Sequence, residues 1–212
     1  MGGISLSYVL GLYLPLVVSL SIHEWAHAAT ARALGDPTAE EQGRLTLNPL
    51  AHLDLIGTVV LPLVILIYHS PFLFGWARPV PVDPTRFRRG VKVFPGMLLV
   101  SLAGPFSNMV LAFLFALALK LCDRFSWGSD ALIQGLFMGL TLNVLLAVFN
   151  LMPIPPLDGH RLLPPAVQRK LLPFSGVIFL AFLVAIYRFQ GLLEVPVGFF
   201  THWILKIVGL AA

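Results

Sequence analysis

Long apolar runs, separated by short polar or proline-rich stretches, set the pattern of this chain. The first extends from about Ile4 to Leu34 with Pro15 as its only breaker, and Gly35-Asp36-Pro37 ends it, since a glycine followed by proline stops a helix. That run is long enough to cross about 30 Å of hydrocarbon. Thr38 to Asp54 is polar and predicts a loop, and Ile56 to Tyr68 is a second apolar run, interrupted by Pro62 and closed by His69-Ser70-Pro71. Gly75 to Pro84 holds too many prolines for a helix and predicts extended backbone near 76–84. Phe94 to Leu121 and Ala131 to Leu151 are further spans, the second ended by Pro153, Pro155 and Pro156. Two last runs, Phe174 to Leu193 and Val197 to Leu210, read as a helical hairpin. The pattern predicts an all-α polytopic membrane protein with five to six membrane helices.

Composition agrees with a lipid environment. Of 212 residues, 58% are hydrophobic and 11% charged, against about 25% charged in soluble domains, and the mean hydropathy is +0.87. The formal charge of +4 does not point to nucleic acid. The basic residues gather in short loops, Arg86, Arg88, Arg89 and Lys92 in one, Arg161, Arg169 and Lys170 in another, where such charge sets membrane orientation. Cys122 is the sole cysteine, which excludes an internal disulfide framework and a cysteine zinc site. The amino end has no basic segment and no small-residue cleavage pattern ahead of its apolar run, so that run is expected to be a retained helix. No internal repeat, low-complexity tract or linker divides the chain. One membrane-embedded domain over 1–212 is expected, with a core at 4–165 and the hairpin at 174–210.

Within the first apolar run sits His23-Glu24-Trp25-Ala26-His27. On a helix, positions i and i+4 share a face, so both imidazoles can reach one metal ion, while Glu24 lies beside it. That is the layout of a zinc hydrolase whose glutamate deprotonates the attacking water. Ionisable groups at membrane depth are costly and mark function. Two histidines leave a tetrahedral zinc short of one protein ligand and an open position. Asp158, an acid at a proline-broken helix end beside Gly159, is the first candidate, a plain turn aspartate being the alternative. His52 and Asp54 read as a solvated loop pair or as extra ligands.

Sharing an ion would require the first and fourth runs to point the same way. The helix from Phe94 points the other way, so the run at about 56–76 should dip into the membrane and return. The loops at 35–54 and 78–92 then lie on one side, and the basic loops at 78–92 and 159–173 both face the cytoplasm.

HEWAH in a first membrane helix, SLAGPFSN in a middle one and NLMPIPPLDGH closing a later one resemble the site-2 protease family of intramembrane metalloproteases. GRLTLNPLAHLDLIGT and GWARPVPVDPTRFR resemble its compact bacterial and archaeal branch, which lacks a PDZ domain. The likeness runs from about residue 10 to 165. It implies one Zn2+ held by His23, His27 and Asp158, Glu24 as the base, and Asn150 helping to polarise the scissile carbonyl, a helix cap being the other reading of Asn150. It implies a multi-pass protein of a prokaryotic cell membrane whose substrate is the transmembrane segment of another membrane protein. Gly104 and Asn108 are candidates for the substrate groove, Asn108 alternatively bonding between helices. Where the family often has Gly-Gly after the aspartate, His160 follows Gly159 here, making His160 an alternative ligand.

Two other classes compete. A membrane metal transporter or carrier would also bury His and Asp, but needs ligands along a route and commonly repeated halves. A silent binding module would be expected to lack Glu24, which is present.

Overall fold

A computed structural model describes residues 6–67, 75–189 and 191–210. The described residues are helical without strands. Helix α1 (Leu6–Leu34) runs unbroken through Pro15, although proline there supplies no N–H to the helix ladder. It ends where Gly35 takes a φ of +110°, the left-handed conformation that favours glycine. Short α2 (Thr38–Glu41) follows, then a π-helical turn at Leu55–Val60 that continues as α3 (Leu61–Ile67). The expected dip and return at 56–76 includes residues 68–74, which lie outside the described residues, as does the expected turn at His69-Ser70-Pro71.

Residues 75–83 form neither helix nor strand, as Pro79, Pro81 and the Pro84 that follows them dictate. They lead to α4 (Val93–Arg124), α5 (Asp130–Asn150), short α6 (Pro165–Leu171), α7 (Ser175–Arg188) and α8 (Gly191–Ile207). Among the described residues, three stretches are long and apolar enough to cross a membrane: Val93–Arg124, Asp130–Asn150 and Pro165–Arg188. Their outer faces fit that reading, for Phe106, Phe137, Val177 and Leu180 are exposed apolar side chains.

Helix α4 is the central element, packed on both α1 and α5. Its buried stripe steps from Val100 and Ser101 through Gly104, Asn108, Ala112 and Ala116 to Leu119, one helical face. The small members let neighbouring backbones come close. At one end, Ala112, Ala116 and Leu119 pack with Leu140, Val144 and Val148 of α5 and with Leu193, Val197 and Ile204 of α8. The other end of the stripe is polar and carries the site.

The loops on that side form one network. Asp83 N–H donates to Asp36 Oδ2 at 2.7 Å, and Thr38 N–H donates to Asp36 Oδ1 at 3.0 Å. Arg86 grips both oxygens of Glu41 at 2.6 Å, and this bonding holds the Glu41 carboxyl below the usual carboxylate range. The Arg44 guanidinium donates to the Arg78 carbonyl, Arg78 N–H to His52 O at 2.8 Å, and Trp76 N–H to Gly57 O at 3.1 Å. Residues 75–83 are thus clamped along their length to the segment that follows α1.

Asp36 is fully buried, and replacing it strands the donors it accepts from. Asp36→Ala is expected to cost about 1–3 kcal/mol, lowering the thermal unfolding midpoint of the detergent-solubilised protein by several degrees. An unchanged midpoint would contradict the role given to this network.

Candidate metal centre

His23 and His27 lie one turn apart on the α1 face turned toward α4, and both are buried. Asp158 enters from the turn after α5, where the prolines end the helix at Asn150. Two contacts fix that turn: Ser101 Oγ donates to the Asp158 carbonyl at 2.8 Å, and Gly159 packs so tightly on the Leu151 and Met152 backbone that a Cβ would overlap it. One ligand atom from each of His23, His27 and Asp158 falls within 4.8 Å of the others. His23 Nε2 lies 3.1 Å and His27 Nε2 3.2 Å from Asp158 Oδ2, and the two Nε2 atoms are 3.0 Å apart.

The outer bonds of the rings decide what these atoms can do. His27 Nδ1 is 2.6 Å from the Val100 carbonyl, and His23 Nδ1 is 2.6 Å from Asn108 Oδ1. Both partners accept only, so both Nδ1 atoms carry hydrogen, and with no second hydrogen on the ring each Nε2 turns a lone pair toward the carboxylate. Three acceptors in mutual contact repel one another. A proton on one Nε2 relieves part of this, whereas a cation between them relieves all of it. Zinc bonded to nitrogen and oxygen at about 2.0–2.2 Å in a tetrahedron sets neighbouring ligand atoms about 3.3 Å apart, near the spacing here. The remaining ring N–H of each histidine donates to an oxygen, as metal-binding histidines require.

Gly104 lies beneath the rings, where a Cβ would overlap the Nε2 atoms of both histidines. Asn108 is fully buried, bonded to His23 and, through Nδ2, to Asn143 Oδ1 at 2.9 Å. Neither lines the adjoining cavity. That cavity, of 860 Å³, is walled by apolar residues such as Leu16, Trp76, Val80, Leu142 and Leu183, and it opens onto His23, His27, Asp158, Glu24 and Asn150. Glu24 Oε2 accepts from the Val80 N–H at 2.9 Å. Asn150 Nδ2 donates to the Leu146 carbonyl at 3.0 Å. His160, also on the cavity wall, is buried and donates from Nδ1 to Leu157 O at 2.7 Å, leaving Nε2 without a partner.

His52 and Asp54 stand apart from the cluster. His52 Nε2 donates to Thr46 O at 2.8 Å, and Asp54 Oδ1 accepts from the N–H groups of Ile56 and Gly57 as a helix cap. Sequence reasoning gave no role to Asn143, Ser101 or the Val100 carbonyl. Asn143, a polar residue in an apolar run, carried a signal in its cost of burial; a main-chain carbonyl carries none.

Comparison with known proteins gives the family. "Putative zinc metalloprotease YwhC" of Bacillus subtilis is 40% identical over 206 residues, spanning 91% of this chain and 84% of that protein. The chain belongs to this zinc metalloprotease family. It is the site-2 protease-like family that the three motifs resemble. "Putative zinc metalloprotease Rip2" of Mycolicibacterium smegmatis is 35% identical over 189 residues, 84% of this chain and 68% of that protein. A shorter likeness, 42% over 64 residues, joins the chain to "Putative zinc metalloprotease MJ0611" of Methanocaldococcus jannaschii, covering 30% and 31% of the two. No family model and no solved structure matches the chain.

The packing beneath the rings is directly testable. Gly104→Ala is expected to push both imidazoles apart and lower zinc affinity at least about tenfold, measured by chelator competition on the purified protein. Undiminished affinity would show that the rings are not seated on Gly104.

Proposed function

We propose that this chain is an intramembrane zinc endopeptidase that hydrolyses peptide bonds within or near the transmembrane helices of other membrane proteins, in regulated intramembrane proteolysis. The observation that carries the reading is the convergence of His23, His27 and Asp158 on one point at the edge of a large apolar cavity that also holds the Glu24 carboxylate. His23, His27 and Asp158 would hold one zinc ion. When bound, zinc acidifies a water molecule and polarises a carbonyl.

Glu24 takes the proton of the water as it adds to the substrate carbonyl, then passes it to the leaving amine. The Val80 N–H holds one oxygen of that carboxylate and so fixes its orientation. Asn150 keeps one amide hydrogen on Leu146 and offers the other to the developing oxyanion, a donor worth about 10²- to 10³-fold. The apolar walls exclude water and suit a lipid-soluble segment. A helix hides its carbonyls in its own hydrogen bonds, so the substrate must unwind locally, and the segment at 75–83 lies alongside where an unwound stretch would rest.

In this reading the protein is one multi-pass domain of the cell membrane. Helices α1, α4, α5, α7 and α8 cross the bilayer. The contacts of Glu41 with Arg86 and of Asp36 with Asp83 support the loops at 35–54 and 78–92 sharing a side, and the basic residues at 86–92 and 161–170 favour the cytoplasm for it. A metal carrier is not favoured. Among the described residues one group of three or more His, Cys, Asp or Glu could hold an ion, which is not a route, and the relatives are named as proteases.

Co-expression with single-span membrane proteins tests the proposal. Glu24→Gln is expected to reduce cleavage about 10²- to 10⁴-fold while the purified protein keeps its zinc. Cleavage at the wild-type rate would remove Glu24 as the base, and metal uptake into vesicles without proteolysis would favour a carrier.

A further inference from the structure

We propose that Asn143 and Asn108 form a relay that locks the His23 ring in the tautomer able to bind a cation through Nε2, with Asn143 on α5 as the far anchor. The inference rests on reading the cluster as a metal site, and it gives Asn143 a positioning role.

Both amides are fully buried, where a primary amide is costly unless its polar atoms are bonded. The bonds form one directed chain. Asn143 Nδ2 donates to the Gly139 carbonyl at 2.8 Å, Asn108 Nδ2 donates to Asn143 Oδ1 at 2.9 Å, and Asn108 Oδ1 faces His23 Nδ1 at 2.6 Å. The carbonyl at the far end only accepts, and that settles the direction of every later link. Asn143 must turn its NH2 to Gly139 and its oxygen to α4. Asn108 must answer with its own NH2, which also points at the Ser19 carbonyl at 3.4 Å. Its oxygen is left for His23, whose hydrogen therefore sits on Nδ1 and whose lone pair sits on Nε2.

The two histidines are thus held by different means. His27 donates to the Val100 main chain, a partner that no rotation can reverse. His23 depends on a side-chain amide, and an amide can turn over. Turned over, Asn108 would point its NH2 at His23 Nδ1, drive the hydrogen to Nε2, and close that nitrogen to a cation. Asn143 opposes the turn because the flipped Asn108 oxygen would then face the acceptors Asn143 Oδ1 and Ser19 O. Asn143 thereby acts on the metal site through Asn108 without touching it.

Threonine and valine, nearly equal in shape, separate this role from packing. In a helix the threonine hydroxyl can donate to the carbonyl four residues back and accept from a neighbour, reproducing the direction of the relay; valine can do neither. In purified full-length protein, Asn143→Val is expected to lower zinc affinity about 10- to 100-fold and to alter the visible spectrum of the Co2+-loaded form. Asn143→Thr should recover most of both. Equal behaviour of the two variants, or wild-type affinity in Asn143→Val, would overturn the relay. If valine prevents folding, Asn143→Ala against Asn143→Ser poses the same question with smaller side chains. His27→Ala and Asp158→Ala in the same assay separate the two levels: retained affinity there defeats the metal reading itself, whereas its loss beside equal Thr and Val variants defeats the relay alone.

Discussion

Three acceptor atoms held in contact, His23 Nε2, His27 Nε2 and Asp158 Oδ2 at 3.0–3.2 Å, are the constraint on which the rest of this structure turns. Such an arrangement is repulsive without positive charge between its members, and with both rings buried few polar groups are at hand to relieve it. The fold therefore has to hold the three groups together, and most of its unusual features do so. The Val100 carbonyl and Asn108 amide take the outward hydrogens of the rings, Gly104 leaves room beneath them, and Ser101 fixes the main chain at Asp158. All four belong to one face of α4.

Helix α4 thus serves two purposes along a single stripe. Toward Leu119 its small residues seat α5 and α8 in an apolar core, and toward Val100 the same face orients the His23 and His27 rings. The 75–83 segment adds a third requirement. It is bound to the segment between α1 and α3 at Trp76, Arg78 and Asp83, and its Val80 N–H meets Glu24, so the carboxylate is set by a strap anchored on both sides. A proline-rich stretch suits this task. It cannot coil, and Val80, standing between Pro79 and Pro81, supplies the N–H that reaches Glu24.

Much of this was legible in the sequence. The apolar runs gave α1, α4 and α5 to within about three residues, and Gly35-Asp36-Pro37 and the prolines after Asn150 marked ends by local chemistry; the break in the last hairpin lies earlier than expected, α7 ending at Arg188 and α8 starting at Gly191 and running through Pro196 instead of beginning after it. The i,i+4 spacing of His23 and His27 carried their common face. Asp158 was legible as an acid at a broken helix end and through the likeness to the family. What stayed hidden depends on three-dimensional neighbours: Gly104 as a floor rather than a gap for another helix, the Val100 carbonyl as a partner, and the turn of Asn108 inward to His23. The polar character of Asn143 was visible, but its meaning required knowing which carbonyl stood behind it.

Zinc-edge X-ray absorption on the purified, metal-loaded protein probes the convergence most directly. The account predicts one zinc per chain with a nitrogen and oxygen shell at about 2.0–2.2 Å, scattering from two imidazoles in the wild type and from one in His23→Ala. A shell containing sulfur, or an imidazole count that His23→Ala leaves unchanged, would contradict it.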